Sequence, residues 1–271
     1  MSALIDVGVN LTHAQFRLDL ADVITRAQDA GVSPMILTGT CVDSSTQAAQ
    51  LCLQHPGLLY STAGIHPHDA SAADHQALEA ITQLCQLDCV KAIGETGLDF
   101  NRNFSTPEQQ IASFEAHLIL AQRSGLPLFL HERDAYDTQA AMLREHQQAL
   151  GKVVIHCFTG NRQQLNDWLD LGCYIGITGW VCDERRGNML REAVVDIPDD
   201  RLLIETDAPF LIPRDIPKQQ LTIPKPRRNE PCLLPHILEV IAHCRQQDIQ
   251  ELGAFTRANA ISFFDLPTAN G

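Results

Sequence analysis

The sequence predicts a single (β/α)₈ barrel that occupies the whole chain, residues 1–271. The length of 271 residues is close to the roughly 250 residues that such barrels need. Short apolar segments alternate with longer amphipathic ones, eight times in succession. The apolar segments lack polar alternation, which is typical of parallel strands covered on both faces. An open doubly wound sheet stays an alternative, because periodicity cannot show closure.

Strands are predicted where Val, Ile and Leu gather in short runs bounded by polar residues or glycine. No linker between these runs divides the chain into separate domains. In order, the predicted strands are Ala3–Val9, Met35–Gly39, Leu59–Gly64, Val90–Gly94, Pro127–Leu130, Val153–Ile155, Tyr174–Thr178 and Leu202–Glu205.

Helices are predicted between the strands, and several have typical first and last residues. Thr106 is a predicted N-cap before Pro107, and Gly31, Gly125 and Gly172 directly follow helical patterns. The predicted helices are Phe16–Ala30, Ser44–Gln54, Asp74–Leu87, Pro107–Ser124, Ala135–Leu150, Arg162–Leu171, Glu184–Val195, Leu234–Arg245 and Ile249–Phe264.

Charge and cysteine content limit the classes of function. The formal net charge of -13 opposes nonspecific binding to phosphate backbones, so any nucleic-acid role must depend on a local site. The nine cysteines include no C-x-x-C pair, which predicts reduced thiols in a cytoplasmic protein. Neither a signal peptide nor a membrane-spanning run is visible, so we expect no membrane association. We also expect a monomer.

Ionisable residues follow five of the predicted strands at their carboxyl ends. In a barrel these ends meet on one face, where active sites form. A lone histidine there is more often structural, but several imidazoles and carboxylates buried together need a partner. A divalent metal supplies that partner. The residues predicted to surround it are His66, His68, Glu95, His131, His156 and Asp207.

Two other kinds of site are poorly supported. Cys157 follows His156, but neighbouring residues on a strand point to opposite faces, so we predict a core thiol rather than a nucleophile. The glycines Gly160, Gly176 and Gly179 match neither a dinucleotide-binding loop nor a Walker loop.

A proline-rich loop over residues 209–231 is predicted to contact phosphates. It holds five cations between Arg214 and Arg228, against Asp215 alone, although a simple solvated loop is the alternative. Trp180 and Phe104 are possible stacking surfaces for bases, with buried packing as the alternative. The cations, which Arg133 is expected to join, are Arg214, Lys218, Lys225, Arg227 and Arg228.

A run of motifs resembles the TatD-type deoxyribonucleases, a family of metal-dependent hydrolase barrels. The resemblance extends from Asp6 to the C-terminal helices and is strongest to bacterial members. It implies a Mg²⁺-dependent exonuclease, with Mn²⁺ or Zn²⁺ as other possible metals, that trims single-stranded DNA or RNA from the 3′ end. The motifs are GIHPHD, AIGETGLDFNRNFST, HERD, VIHCFTG, YIGITGWVCDERRG, LLIETDAP and PKPRRNEP.

The resemblance also implies roles for individual residues. Glu95, His131 and His156 match the metal ligands. Asp207 matches an acid that serves as ligand or general base. His66 matches a histidine near the scissile phosphate, and His66 or His68 is expected to stabilise or protonate the leaving oxygen.

The segment after the first strand departs from the family pattern. Most members have an H-x-H pair there, whereas this chain has Gly8 and Asn10. The loss of two imidazole ligands favours one metal, or a second held weakly, over a tight zinc pair.

Two alternative functions share these features. One is an amidohydrolase-type enzyme acting on a small cyclic amide, lactone or phosphotriester, and the other is a nucleic-acid-binding protein without activity. The missing H-x-H pair argues against a zinc-bridged amidohydrolase. The joint presence of Glu95, His131, His156 and Asp207 argues against lost catalysis.

Overall fold

The structure is a computed structural model that describes residues 3–217, 221, 223–225 and 227–267. Lys218 of the predicted basic loop lies outside these residues. The chain forms two compact units. The first contains Met1–Ile36, Cys157–Asn166 and Ile175–Gly271, and the second contains Leu37–His156 and Asp167–Tyr174. The single domain expected over residues 1–271 stays a prediction.

The eight strands form one sheet whose order follows the chain from β1 to β8. Backbone bonds next to the last strand connect it with the first, since Asp207 N–H donates to Gly8 O and Asn10 N–H donates to Ala208 O, both at 2.8 Å. This is the strand arrangement of a (β/α)₈ barrel, so the predicted fold is confirmed over the open sheet. The strands are β1 Leu4–Val9, β2 Val32–Leu37, β3 Leu59–Ala63, β4 Val90–Asp99, β5 Leu128–Arg133, β6 Val153–Ile155, β7 Tyr174–Ile177 and β8 Leu202–Ile204.

Helices follow the strands, and most agree with the predicted segments to within a few residues. Thr106 caps α4 through the Gln109 N–H, and Gly125 ends that helix with a positive φ, both as predicted. The helices are α1 Leu20–Asp29, α2 Val42–Gln54, α3 His75–Leu84, α4 Pro107–Ser124, α5 Tyr136–His146, α6 Arg162–Asp170, α7 Asn188–Ala193, α8 Leu234–Arg245 and α9 Ile249–Phe264.

Helix α7 begins later than predicted because a side chain organises the preceding residues into a turn. Asp183 Oδ1 accepts the N–H groups of Arg185 and Arg186 at 3.0 and 3.1 Å. Gly187 N–H then donates to Asp183 O. These bonds use the amide groups that would otherwise start the helix at Glu184.

Strand β4 is five residues longer than predicted, and the added segment is polar. Its end pairs in parallel with β5, with Gly97 beside His131 and Asp99 beside Arg133. Gly97 has a φ of +134°, and a Cβ there would collide with the carbonyl oxygen of His131. The close approach of these two backbones therefore depends on glycine, which tolerates this conformation.

All nine cysteines are free, as expected for reduced thiols. Cys173 and Cys182 are buried, whereas Cys157 is half-buried. Within the described parts of the chain, no helix combines the length and apolarity that crossing a bilayer requires.

We expect Gly97→Ala to lower the free energy of unfolding by at least about 2 kcal/mol, because strain and overpacking add. Gly151→Ala is the matched control, since its Cβ would meet only Gly125 O at an ordinary 3.6 Å. The control is expected to change stability by less than about 0.5 kcal/mol. Denaturant unfolding of both variants makes the comparison, and equal stability would contradict the close approach.

Candidate metal centre

His66 follows β3 and starts a short helical turn. Its N–H donates to Thr40 O at 2.8 Å. Its Nδ1 accepts the N–H of His68 at 3.1 Å and caps the 3₁₀ helix Pro67–Ala72. Because Nδ1 is engaged in this way, Nε2 is the nitrogen that faces neighbouring side chains.

Three imidazoles surround one carboxylate oxygen, Oε1 of Glu95. His131 Nδ1 lies 2.9 Å and His66 Nε2 lies 3.4 Å from this oxygen. His156 Nε2 lies 3.9 Å from it. We call Glu95, His66, His131 and His156 the Glu95 cluster. The structure thus brings the three predicted ligands together and adds His66 to them.

The electrostatics of the cluster favour a charged carboxylate. Burial opposes ionisation of Glu95, but His66 and His156 outweigh it and hold the pKa well below its usual value. Burial also opposes a charged His131, yet the carboxylates of Asp99 and Glu95 raise its pKa to about 9. Burial lowers the pKa of His66, and Glu95 offsets this only in part. His131 is therefore the histidine of the cluster whose charged form the neighbouring carboxylates favour.

Asp99 is a site residue that the sequence reasoning missed. Its carboxylate is buried and Oδ2 lies 2.8 Å from His68 Nε2. The neighbouring histidines and the backbone N–H of Arg102 hold its pKa far below the usual value, although burial opposes this. A strand that continues past Gly94 would have placed Asp99 on the same face as Glu95, since side chains alternate. The predicted strand ended too early for that signal to be read.

The donor set of the cluster fits a divalent metal. His131 Nε2 is buried and lies 3.4 Å from Asp99 Oδ2, an ion-pair contact that is not a well-directed hydrogen bond. Donor atoms of His66, Glu95 and His131 lie within 4.8 Å of one another. A mixture of imidazole and carboxylate suits several divalent metals. A cation would take the place of the proton that His131 carries.

Asp207 lies in a turn directly after β8. Its φ is +54°, and its N–H donates to Gly8 O at 2.8 Å. Asn10 Nδ2 donates to Asp207 Oδ1 at 3.0 Å. Asn10 therefore orients the Asp207 carboxylate.

A second acid holds the residue next to Asp207. Asp6 Oδ1 accepts the Thr206 N–H at 2.9 Å, and Asp6 Oδ2 accepts the Thr206 hydroxyl at 2.5 Å. Asp6 is fully buried, and burial raises its pKa to about 7 despite these hydrogen bonds. The pair fixes the backbone from which Asp207 projects.

Cys157 is half-buried and lies beyond the end of its strand, so the predicted core position is wrong. Strand β6 ends at Ile155, and Cys157 has a φ of +48°, so strand alternation does not apply to it. Its N–H donates to the buried carboxylate of Glu205 at 2.6 Å, and its thiol lies 3.5 Å from Thr178 Oγ1.

The predicted substrate contact of Arg228 is corrected by its burial. The residue is 2% exposed, and its guanidinium binds Asp19 through two bonds of 2.8 Å. It also binds Glu230 at 2.5 Å and packs over the Phe16 ring. Hydrogen bonds from Arg228 lower the pKa of Asp19 to about 2. Arg228 thus holds the loop to the N-terminal segment.

The other predicted cations are more accessible. Arg214 Nε lies 3.5 Å from Asp183, and Lys225 Nζ lies 3.5 Å from Asp19, with about half of each side chain exposed. Arg227 is exposed, and Arg133 ends β5 in a half-buried position. Their contacts with substrate stay predictions.

The two aromatic candidates differ in exposure. Phe104 is 68% exposed, and its ring meets His68 edge-on with centroids 4.7 Å apart. Trp180 is half-buried beneath the Arg186 guanidinium at 4.3 Å. Phe104 therefore combines open surface with a place beside the proposed site.

A (β/α)₈ barrel with carboxylate and imidazole side chains gathered near the carboxyl ends of its strands is typical of metal-dependent hydrolases. The model of the TatD related DNase family matches residues 5–265. The chain belongs to this family. A protein of Dickeya dadantii (strain 3937) named 3′-5′ ssDNA/RNA exonuclease TatD is 51% identical over 262 residues, covering 96% of this chain and 97% of that protein.

Further relatives and solved structures agree with this assignment. A protein of the same name from Pectobacterium carotovorum subsp. carotovorum (strain PC1) is 50% identical over 264 residues, with coverages of 97% and 100%. The TatD-family hydrolase structure from Entamoeba histolytica has a TM-score of 0.87 at 27% identity, covering 98% of this chain and 99% of that one. The TatD homolog YJJV from Escherichia coli K12 has the same values.

We expect metal affinity to rise with pH up to about pH 9, because a cation must displace the His131 proton and protonated imidazole does not bind metal. Calorimetric titration of Mn²⁺ in two buffers of different ionisation enthalpy would report the released proton. His131→Gln should release none. An affinity that does not change between about pH 6.5 and pH 9 would contradict this account.

We expect Arg228→Met to lower the free energy of unfolding by about 3 kcal/mol, because it removes the partner of Asp19 and leaves buried Glu230 with Arg26 alone of its two cations. The exposed neighbour provides the control, since Arg227→Met should change stability by less than about 0.5 kcal/mol. Urea unfolding measures both. A stable Arg228→Met protein with an increased KM would instead restore the substrate-binding role.

Proposed function

We propose that this chain is a metal-dependent exonuclease that shortens single-stranded DNA and RNA from the 3′ end. The observation that supports this most is the Glu95 cluster, in which three imidazoles converge on one buried carboxylate. Family membership and relatives of about 50% identity that carry this activity in their names support the substrate class.

Glu95, His131 and His156 are the proposed metal ligands, and the position of His66 makes it a further donor. The bound metal would polarise a phosphoryl oxygen and favour deprotonation of water. Mg²⁺ is the metal that the family resemblance implies. Because imidazole also suits Mn²⁺ and Zn²⁺, all three belong in the test.

Asp207 is the proposed general base, and a further metal ligand where its geometry allows. Asn10 holds Oδ1 of its carboxylate at 3.0 Å, which fixes the orientation of the group. A carboxylate in this state can accept the proton of the attacking water. Asn10 is therefore a positioning residue for this step.

His68 is the proposed donor of the proton to the leaving 3′ oxygen. Its Nε2 lies 2.8 Å from Asp99 Oδ2, an arrangement that orients the imidazole. His66 is the other candidate for this role. Its place within the Glu95 cluster favours metal binding over proton transfer.

Arg133, Arg214, Lys225 and Arg227 are the proposed phosphate contacts. Exposed Phe104, which meets His68 edge-on, is the proposed stacking surface for the terminal base. We further propose a cytoplasmic, monomeric protein with residues 1–271 as one domain. The nine free thiols suit the reducing compartment.

The alternative of a small-molecule hydrolase has the same fold. The β-aspartyl dipeptidase of Fervidobacterium islandicum has a TM-score of 0.62 at 13% identity, which shows a similar fold alone. No feature of the Glu95 cluster favours an amide or lactone over a phosphodiester. The nuclease relatives favour the phosphodiester.

We expect the metal-stripped protein, given Mg²⁺, Mn²⁺ or Zn²⁺, to shorten 5′-labelled single-stranded DNA and RNA stepwise from the 3′ end. His131→Ala and Glu95→Ala should each lose at least about a hundredfold in rate, because each removes a metal ligand. Gel resolution of the products gives both the rate and the polarity of digestion.

His243→Ala is the matched control, because this exposed histidine lies on α8 outside the Glu95 cluster and should keep full activity. Near-full activity of Glu95→Ala with Mg²⁺ would contradict the proposal. Cleavage of a small amide or lactone with nucleic acids intact would favour the amidohydrolase alternative. Binding of single strands without turnover under every metal would favour the non-catalytic one.

A further inference from the structure

A second group of possible metal ligands lies outside the Glu95 cluster. Cys182 ends the 3₁₀ helix Gly179–Cys182 after β7, Asp215 lies in the proline-rich loop, and His236 lies in the first turn of α8. One donor atom from each residue lies within 4.8 Å of the other two. Three segments that are distant in sequence thus place a thiol, a carboxylate and an imidazole together.

The three side chains of this group differ in burial. Cys182 is fully buried, whereas Asp215 and His236 keep side-chain exposures of 17% and 23%. His236 Nε2 lies 2.7 Å from Asp215 Oδ1. Burial and the adjacent Asp215 raise the pKa of the Cys182 thiol, so the thiol is protonated in the free protein.

We propose that Cys182, Asp215 and His236 form a second metal site, of the kind that takes Zn²⁺. Sulfur, imidazole and carboxylate are the donors that zinc uses, commonly three from the protein and one water. The partial exposure of Asp215 and His236 leaves the fourth position open to water. A thiolate ligand also selects zinc over magnesium.

A carboxylate lies near the second ring nitrogen of His236, where zinc ligands usually have an outer partner. Its Nδ1 lies 3.9 Å from Glu239 Oε2, one turn further along α8. Histidines that bind metal generally donate their second N–H to a carboxylate or carbonyl. Metal at Nε2 would move the ring proton to Nδ1, which faces Glu239.

Arg191 offsets part of the negative charge without occupying the donor atoms. Its Nε donates to Val181 O at 2.7 Å, and Nη2 lies 3.4 Å from Asp215 Oδ2. Asp215 Oδ1 stays directed at His236. On binding, the cation replaces the thiol proton of Cys182, and that proton leaves to solvent.

A metal at this site would attach the proline-rich loop to α8 through Asp215 and His236. Asp215 directly follows Arg214, a proposed phosphate contact, and His236 belongs to a regular helix. Metal binding would therefore join the loop to α8 beside a residue that meets substrate. The proposal of this second metal site does not rest on the proposed nuclease function.

Absorption spectroscopy of Co²⁺ bound to the full-length, metal-stripped protein tests the site. Co²⁺ bound to a thiolate gives an intense near-ultraviolet charge-transfer band, which the Glu95 cluster cannot produce because it contains no sulfur. We expect the band in the unaltered protein and its displacement by Zn²⁺. It should disappear in Cys182→Ser.

Further variants distinguish Cys182 from the other thiols and from the Glu95 cluster. Three control variants should keep the band, because none of them alters Cys182, Asp215 or His236. Cys157→Ser tests the thiol beside His156, Cys173→Ser tests another buried thiol, and Glu95→Gln tests the first centre. His236→Gln changes a partly exposed side chain and should weaken Co²⁺ binding at least about tenfold, even where Cys182→Ser fails to fold.

Three results would overturn the assignment. They are the absence of the band at saturating Co²⁺, its persistence in Cys182→Ser, and Co²⁺ affinity unchanged in His236→Gln. Loss of the band in Cys157→Ser would assign the thiolate to Cys157 instead.

Discussion

The buried carboxylate of Glu95 is the interaction on which the rest of the site depends. A buried carboxylate costs several kcal/mol unless it is paired and hydrogen-bonded. Three imidazoles lie within 3.9 Å of its Oε1 and supply that pairing. A doubly charged cation would neutralise this carboxylate more completely than one proton does. The Glu95 cluster is therefore suited to bind a divalent metal.

Backbone geometry makes this cluster possible. Gly97 allows β4 to approach β5 closely enough for Asp99 and Glu95 to meet His131. Two buried glutamines hold the polar end of β4, since Gln139 Oε1 accepts the Leu98 N–H and Gln110 bonds to both backbone groups of Asp99. Because these partners come from α4 and α5, the helices stabilise the site as well as cover the sheet.

The barrel and the main residues of the site could be predicted from the sequence. Features that depend on tertiary contacts could not. Glu95, His131 and His156 could be predicted because each follows a short apolar run of the sequence. Asp99 could not, because β4 continues through a polar segment that apolar periodicity does not register. Arg228 was misread because sequence gives its charge and not its burial between Asp19 and Glu230. The hydrogen bond from Asn10 to Asp207 joins residues 197 positions apart, and no local sequence pattern indicates it.

Glu95 and its histidines are proposed to bind the catalytic metal, and anomalous diffraction from crystals soaked in Mn²⁺ would locate that metal. We expect a peak bonded to Glu95, His131 and His156, with His66 or Asp207 as a further ligand. A fully loaded crystal whose strongest peak lies elsewhere, with the Glu95 cluster still bonded to itself alone, would contradict the claim.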